Sequence, residues 1–90
     1  MITGGRPFNV STALRLMLPV SPKWKLIGTL LDIASDILDK IVSNEADVDA
    51  RLLAMLNELS CRKPPPTWEA LAEAVENFNP DVAKELRHTR

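Results

Sequence analysis

Ninety residues, 46% hydrophobic and 26% charged, make one packed domain, because a chain this short buries only about 60–65% of its unfolded surface and cannot hold two cores. That balance lies away from the low-hydrophobicity, high-charge signature of disorder. A single cysteine, Cys61, and a single histidine, His88, exclude a disulfide framework and a zinc-ligand spacing.

Aromatics are 4% of the chain and tyrosine is absent, so sheet formers are scarce and the expected class is all-α. No apolar run approaches the roughly 20 residues of a membrane span, and the N-terminus lacks the apolar region of a signal peptide. A reducing, cytoplasmic setting without membrane insertion is expected.

Residues 1–9 precede any helical pattern and read as an N-terminal extension to a domain over 10–88. Val10, Ala13, Leu14, Met17 and Leu18 form the first apolar stripe, which Pro19 ends. Ser21-Pro22 then reads as an N-cap with proline at the first helical position, leading into Trp24, Ile27, Gly28 and Leu31. A glycine inside that stripe costs about 1 kcal/mol of helix propensity, which points to close approach by a neighbouring element. Ile37, Leu38, Ile41 and Val42 make a short third segment, followed by a polar connection over Ser43-Asn44-Glu45-Ala46-Asp47. Val48, Leu52, Met55, Leu56 and Leu59 give the longest regular stripe, with Asp47 as N-cap and Arg62 and Lys63 as cations at its C-terminal end.

Pro64, Pro65 and Pro66 forbid helix and form a stiff spacer, after which Thr67 caps a fifth stripe of Trp68, Leu71, Ala72, Val75 and Phe78. Asn79-Pro80-Asp81 repeats the cap-plus-proline device ahead of Val82, Ala83 and Leu86. Positions 61 and 67 are Cys and Thr, so the prolines lack the spacing of a polyproline ligand. The expected core comprises Leu14, Trp24, Ile27, Leu31, Ile41, Leu52, Met55, Leu56, Trp68, Leu71, Val75 and Leu86.

Net charge is -1, but it is unevenly placed. Residues 1–30 carry Arg6, Arg15, Lys23 and Lys25 and no acid. Residues 31–60 carry Asp32, Asp36, Asp39, Glu45, Asp47, Asp49 and Glu58 against Lys40 and Arg51. This makes a dipolar molecule suited to contacts between oppositely charged faces. The acidic middle would repel phosphate, so no nucleic-acid partner is expected.

Catalysis has little support. Cys61 falls at a helix C-terminus, where the dipole opposes a thiolate, and His88 has no acidic orienting partner at fixed spacing. Asp32, Asp36 and Asp39 recur about once per turn but lack the glycine-containing loop of a calcium site. No cofactor or metal is expected.

Trp24-x-x-Ile27-Gly28-x-x-Leu31, Ile37 with Ile41, Arg51-Leu52-x-x-Met55-Leu56, Thr67-Trp68-x-x-Leu71-x-x-Ala74-Val75 and Ala83-x-x-Leu86, in this order and over Val10 to Leu86, resemble a death domain. Leu59 stands where that family often has a tryptophan, and Leu31-Asp32 where a Leu-Gly pair often closes the second helix. The resemblance implies a six-helix antiparallel bundle of Greek-key death fold. It also implies a non-enzymatic role: association with other death domains, by itself or heterotypically, in oligomers or helical assemblies that serve apoptotic or innate-immune signalling. Second and third helices of one molecule would meet first and fourth helices of the next, pairing Asp32, Asp36 and Asp39 with Arg15 and Arg51. Lys23, Lys25, Asp81, and Arg62 and Lys63 beside the spacer complete the expected interaction surface. The alternative is a monomeric helical module anchoring a larger receptor or cytoskeletal protein.

Overall fold

The structure, a computed structural model, describes residues 8–63 and 65–88. Among these residues the chain forms six α-helices, one 3₁₀ helix and no β-strand, so the class is all-α.

Helix α1 (Val10–Met17) starts where the Asn9 side chain accepts a hydrogen bond from the Thr12 N–H at 3.0 Å. Pro19 does not stop the chain from turning; it converts α1 directly into a 3₁₀ helix, Leu18–Lys23, which carries Pro22 within it. The tighter winding, 3.0 rather than 3.6 residues per turn, rotates the apolar stripe. Leu18, expected in the stripe, is therefore exposed, and Val20 is buried in its stead.

Ser21 is consequently not the N-cap of the next helix. It lies inside the 3₁₀ segment and is buried. Helix α2 (Trp24–Leu30) begins without a side-chain cap. Its C-terminus closes in a Schellman motif, with Ile33 N–H donating to Gly28 and Asp32 N–H to Thr29, at 3.0 and 3.1 Å. Asp32 occupies the left-handed position at φ 66°, where the resembled family often has glycine.

Helix α3 (Ser35–Asn44) spans 10 residues, longer than the 7 of α2, so the expectation of a short third helix is corrected. It absorbs Ser43 and Asn44 of the expected polar connection. Helix α4 (Val48–Ser60) is the longest helix among the described residues at 13 residues. It is capped by Asp47, which accepts from the Ala50 N–H. Leu52, Met55, Leu56 and Leu59 are fully buried along it. Thr67 caps α5 (Trp68–Glu76) through the Ala70 N–H at 3.2 Å. The Asn79 carboxamide oxygen caps α6 (Pro80–His88) by accepting from Asp81 and Val82.

Helix α4 packs against α1, α2, α3 and the 3₁₀ helix, while α5 and α6 pair extensively and reach the rest through α2 and α1. Trp24 and Trp68 are both buried, as are Ile27, Ile41, Leu71, Val75 and Leu86. Leu14 and Leu31 pack only partly against this core. Phe8, Val20 and Ile33 belong to it although none lies on an expected helical stripe.

Phe8 also ties the start of the chain to the spacer. Its N–H donates to the Pro66 carbonyl at 3.4 Å, and its ring meets Trp68 edge-on at 6.3 Å and 80°. Phe8 and Asn9, read from the sequence as the end of an extension, thus take part in the packed unit. Pro64 lies outside the described residues.

Candidate interaction surface

The charges of α2, α3 and α4 divide into those used within the molecule and those left outward. Asp32, Asp36 and Asp39 are all exposed. Asp36 and Asp39, three apart in α3, share one side of that helix. Asp39 pairs with Lys25 of α2 at 3.2 Å, so the acidic group contains a cation of its own. With half or more of both side chains exposed, this bridge contributes at most about 1 kcal/mol. Asp36 has no hydrogen-bond or ion-pair partner among the described residues.

Two arginines expected on the outer face are instead half-buried brackets. Arg51 of α4 donates through Nε to the Glu45 carbonyl at 2.6 Å and through Nη2 to the Val42 carbonyl at 3.3 Å. It closes the C-terminal end of α3, whose last carbonyls have no helical donors of their own. Arg62 does the same for α2, donating to the carbonyls of Leu31 at 2.7 Å and Asp32 at 2.6 Å. It follows α4 but serves a different helix from the one its sequence position suggested. The reason is geometric: the guanidinium fork reaches two carbonyls at once, and the Schellman turn presents two side by side.

Arg15, in the last turn of α1, is exposed and unpaired among the described residues. Lys23 at the end of the 3₁₀ helix, Lys63 after α4 and Asp81 in the first turn of α6 are exposed as well. The structure therefore brings together Lys25 with Asp39, and Arg62 with the Asp32 backbone. Arg15 and Arg51 are on different helices; Arg51 is engaged by carbonyls, while Arg15 has no partner among the described residues.

Arg87 is absent from the expected interaction surface. This α6 residue bridges Glu69 at 3.1 Å and Glu76 at 2.9 Å, both on α5. The hydrogen bonds it donates to Glu76 and, next, to Glu69 raise its pKa above the ordinary guanidinium value. A raised pKa contributes fully below the unfolded value and is lost only above it, so this brace is constant across neutral pH. The seven-residue spacing of Glu69 and Glu76, two turns on one helix face, was the available signal.

Cys61 is an exposed free thiol at the C-cap of α4. Among the described residues, no group of three or more His, Cys, Asp or Glu is placed to hold a metal ion, and no helix is long and apolar enough to cross a membrane. Compared with protein-family models, curated proteins and solved structures, the chain matches none.

Proposed function

We propose that this chain is a non-enzymatic interaction module of the death-fold type, a Greek-key bundle. In this reading it associates with copies of itself or with other death domains and assembles signalling proteins in apoptotic or innate-immune responses in the cytoplasm. The observation that carries the reading is the placement of uncommitted charge: Asp36 on α3 and Arg15 on α1 are exposed and have no partner among the described residues. An acidic face on one molecule then meets a basic face on the next. A head-to-tail contact of this kind leaves one face of each sign free and propagates until a ring or helical turn closes. Such rim charges set orientation and association rate, and salt weakens them.

Multi-angle light scattering across protein concentration and salt tests this. Arg15→Glu and Asp36→Arg should each abolish self-association with helicity retained. Mixing the two should restore dimers but not long polymers, because each variant keeps one complementary face. Electron microscopy at high concentration would distinguish filaments from rings.

One observation favours the monomeric anchoring module instead: Lys25, Asp39, Arg51 and Arg62 are all engaged within the molecule. A mass independent of concentration and salt would select that reading.

A further inference from the structure

A groove of about 560 Å³ runs between the C-terminal end of α2 and the outer side of α5, within the size range of clefts that bind small ligands and side chains. Its apolar lining comes from Leu30, Leu31, Pro66, Ala70 and Ala74. Leu30 is 51% exposed, so this lining reaches the surface rather than closing on itself.

The polar lining is net acidic. Asp32 and Glu73 present carboxylates with no hydrogen-bond or ion-pair partner among the described residues. Asn77 uses its amide N–H on the carbonyls of Glu73 and Ala74, which leaves its side-chain oxygen as an acceptor. Arg62, the one cation in the lining, has Nη1 and Nη2 donating to the Leu31 and Asp32 carbonyls. The groove thus offers apolar contact and carbonyl or carboxylate acceptors, with its cation engaged by the backbone beneath it.

The geometry points to a docking site for a peptide segment of a partner protein that carries an arginine or lysine beside a leucine-sized aliphatic side chain. The aliphatic group covers Leu30, Ala70 and Ala74, and the cation lies between Asp32 and Glu73. With two carboxylates against one guanidinium the lining is net acidic, so an acidic segment is disfavoured. The site uses neither Arg15 nor Asp36, so it stands whether or not the chain self-associates.

The probe is a fluorescein-labelled peptide of alternating leucine and arginine, followed by fluorescence anisotropy at low ionic strength on the dilute protein. Binding should weaken roughly three- to tenfold in the Asp32→Asn, Glu73→Gln double variant, as expected for the loss of two exposed ion pairs. Asparagine tolerates the left-handed backbone at position 32, so the fold is kept. Removing the same charge elsewhere, by Asp49→Asn with Asp81→Asn, should leave binding unchanged, and Ala70→Trp should block it by filling the groove. Amide shift perturbations should centre on Leu30, Ala70 and Ala74, and a peptide with glutamate for arginine should not bind. No binding at millimolar peptide, equal weakening by the remote charge variants, or perturbations centred elsewhere would overturn the proposal.

Discussion

At Asp32 the backbone holds φ 66°, a region costing about 1–2 kcal/mol for most side chains and less for Asp or Asn. Its carboxylate also follows the negative end of the α2 dipole. Asp32→Gly relieves both, against a loss of about 0.5–1 kcal/mol from greater freedom in the unfolded chain. The net expectation is a gain of about 0.5 kcal/mol, with Asp32→Val losing about 1–2 kcal/mol, read from urea midpoints. Four residues earlier, a methyl group on Gly28 would lie 2.9 Å from Leu38 Cδ2 and 3.1 Å from Met55 Sδ. Both neighbours are fully buried and have little room to move. Overpacking of about 1–3 kcal/mol should therefore outweigh the helix-propensity gain of about 1 kcal/mol, so that Gly28→Ala destabilises. Combining it with Leu38→Ala should remove most of the Gly28→Ala penalty, since the added methyl then enters vacated space. Additive losses would show that the close approach is not what the glycine serves.

At the scale of elements, α5 is positioned by its first turn. Trp68 is 9% exposed, begins the helix immediately after its Thr67 cap and meets Phe8 edge-on. Trp68→Ala should cost about 3–5 kcal/mol, enough to unfold much of a domain this size. A thermal midpoint lowered by only a few degrees would contradict that anchoring role. The α3–α4 corner depends on a different device. Arg51→Glu removes both bonds to the α3 C-terminus and sets a negative charge against its carbonyls. It should destabilise by about 2–3 kcal/mol in chemical denaturation, because charge-assisted hydrogen bonds are lost and the helix dipole is opposed. Arg51→Lys should recover part of this, as a single ammonium cannot reproduce the fork.

For the whole molecule, this makes Arg51 a poor probe of assembly, since a variant that no longer associates could simply be less folded. Arg15 and Asp36 are cleaner probes: reversal opposes the last turn of α1 or the first turn of α3, at about 0.3–1 kcal/mol each, and breaks no hydrogen bond among the described residues. Both are exposed and unpaired among the described residues, so charge reversal there alters the surface and leaves the core untouched. If the proposed contact is used, association of the parent protein should fall steeply as ionic strength rises through the range where the Debye length shrinks below about 10 Å. The engaged pairs Lys25–Asp39 and Arg87 with Glu69 and Glu76 should contribute little to that slope, being internal to each molecule.

The apolar periodicity and the cap residues were sufficient for the all-α class and for the starts of α1's successors at Asp47, Thr67 and Asn79, since both signals act within a few residues along the chain. Local chemistry also foretold the burial of Trp24 and Trp68 and the close approach at Gly28. It failed where conformation depends on distant partners. Pro19 and Pro22 carry the local signals of a helix stop and a helix start, yet with Val20 and Ser21 packed into the core both prolines lie in one 3₁₀ segment. Phe8 and Ile33 carry no helical period, and their burial depends on Trp68 and on the Gly28 turn. The roles of the surface charges were the least legible of all. Composition counted Arg15, Arg51 and Arg62 as equivalent cations, but only folding sets Arg51 and Arg62 against carbonyls 6 to 31 residues away. A helix end needs donors that its own segment cannot supply, and which side chain supplies them is decided by the tertiary structure alone.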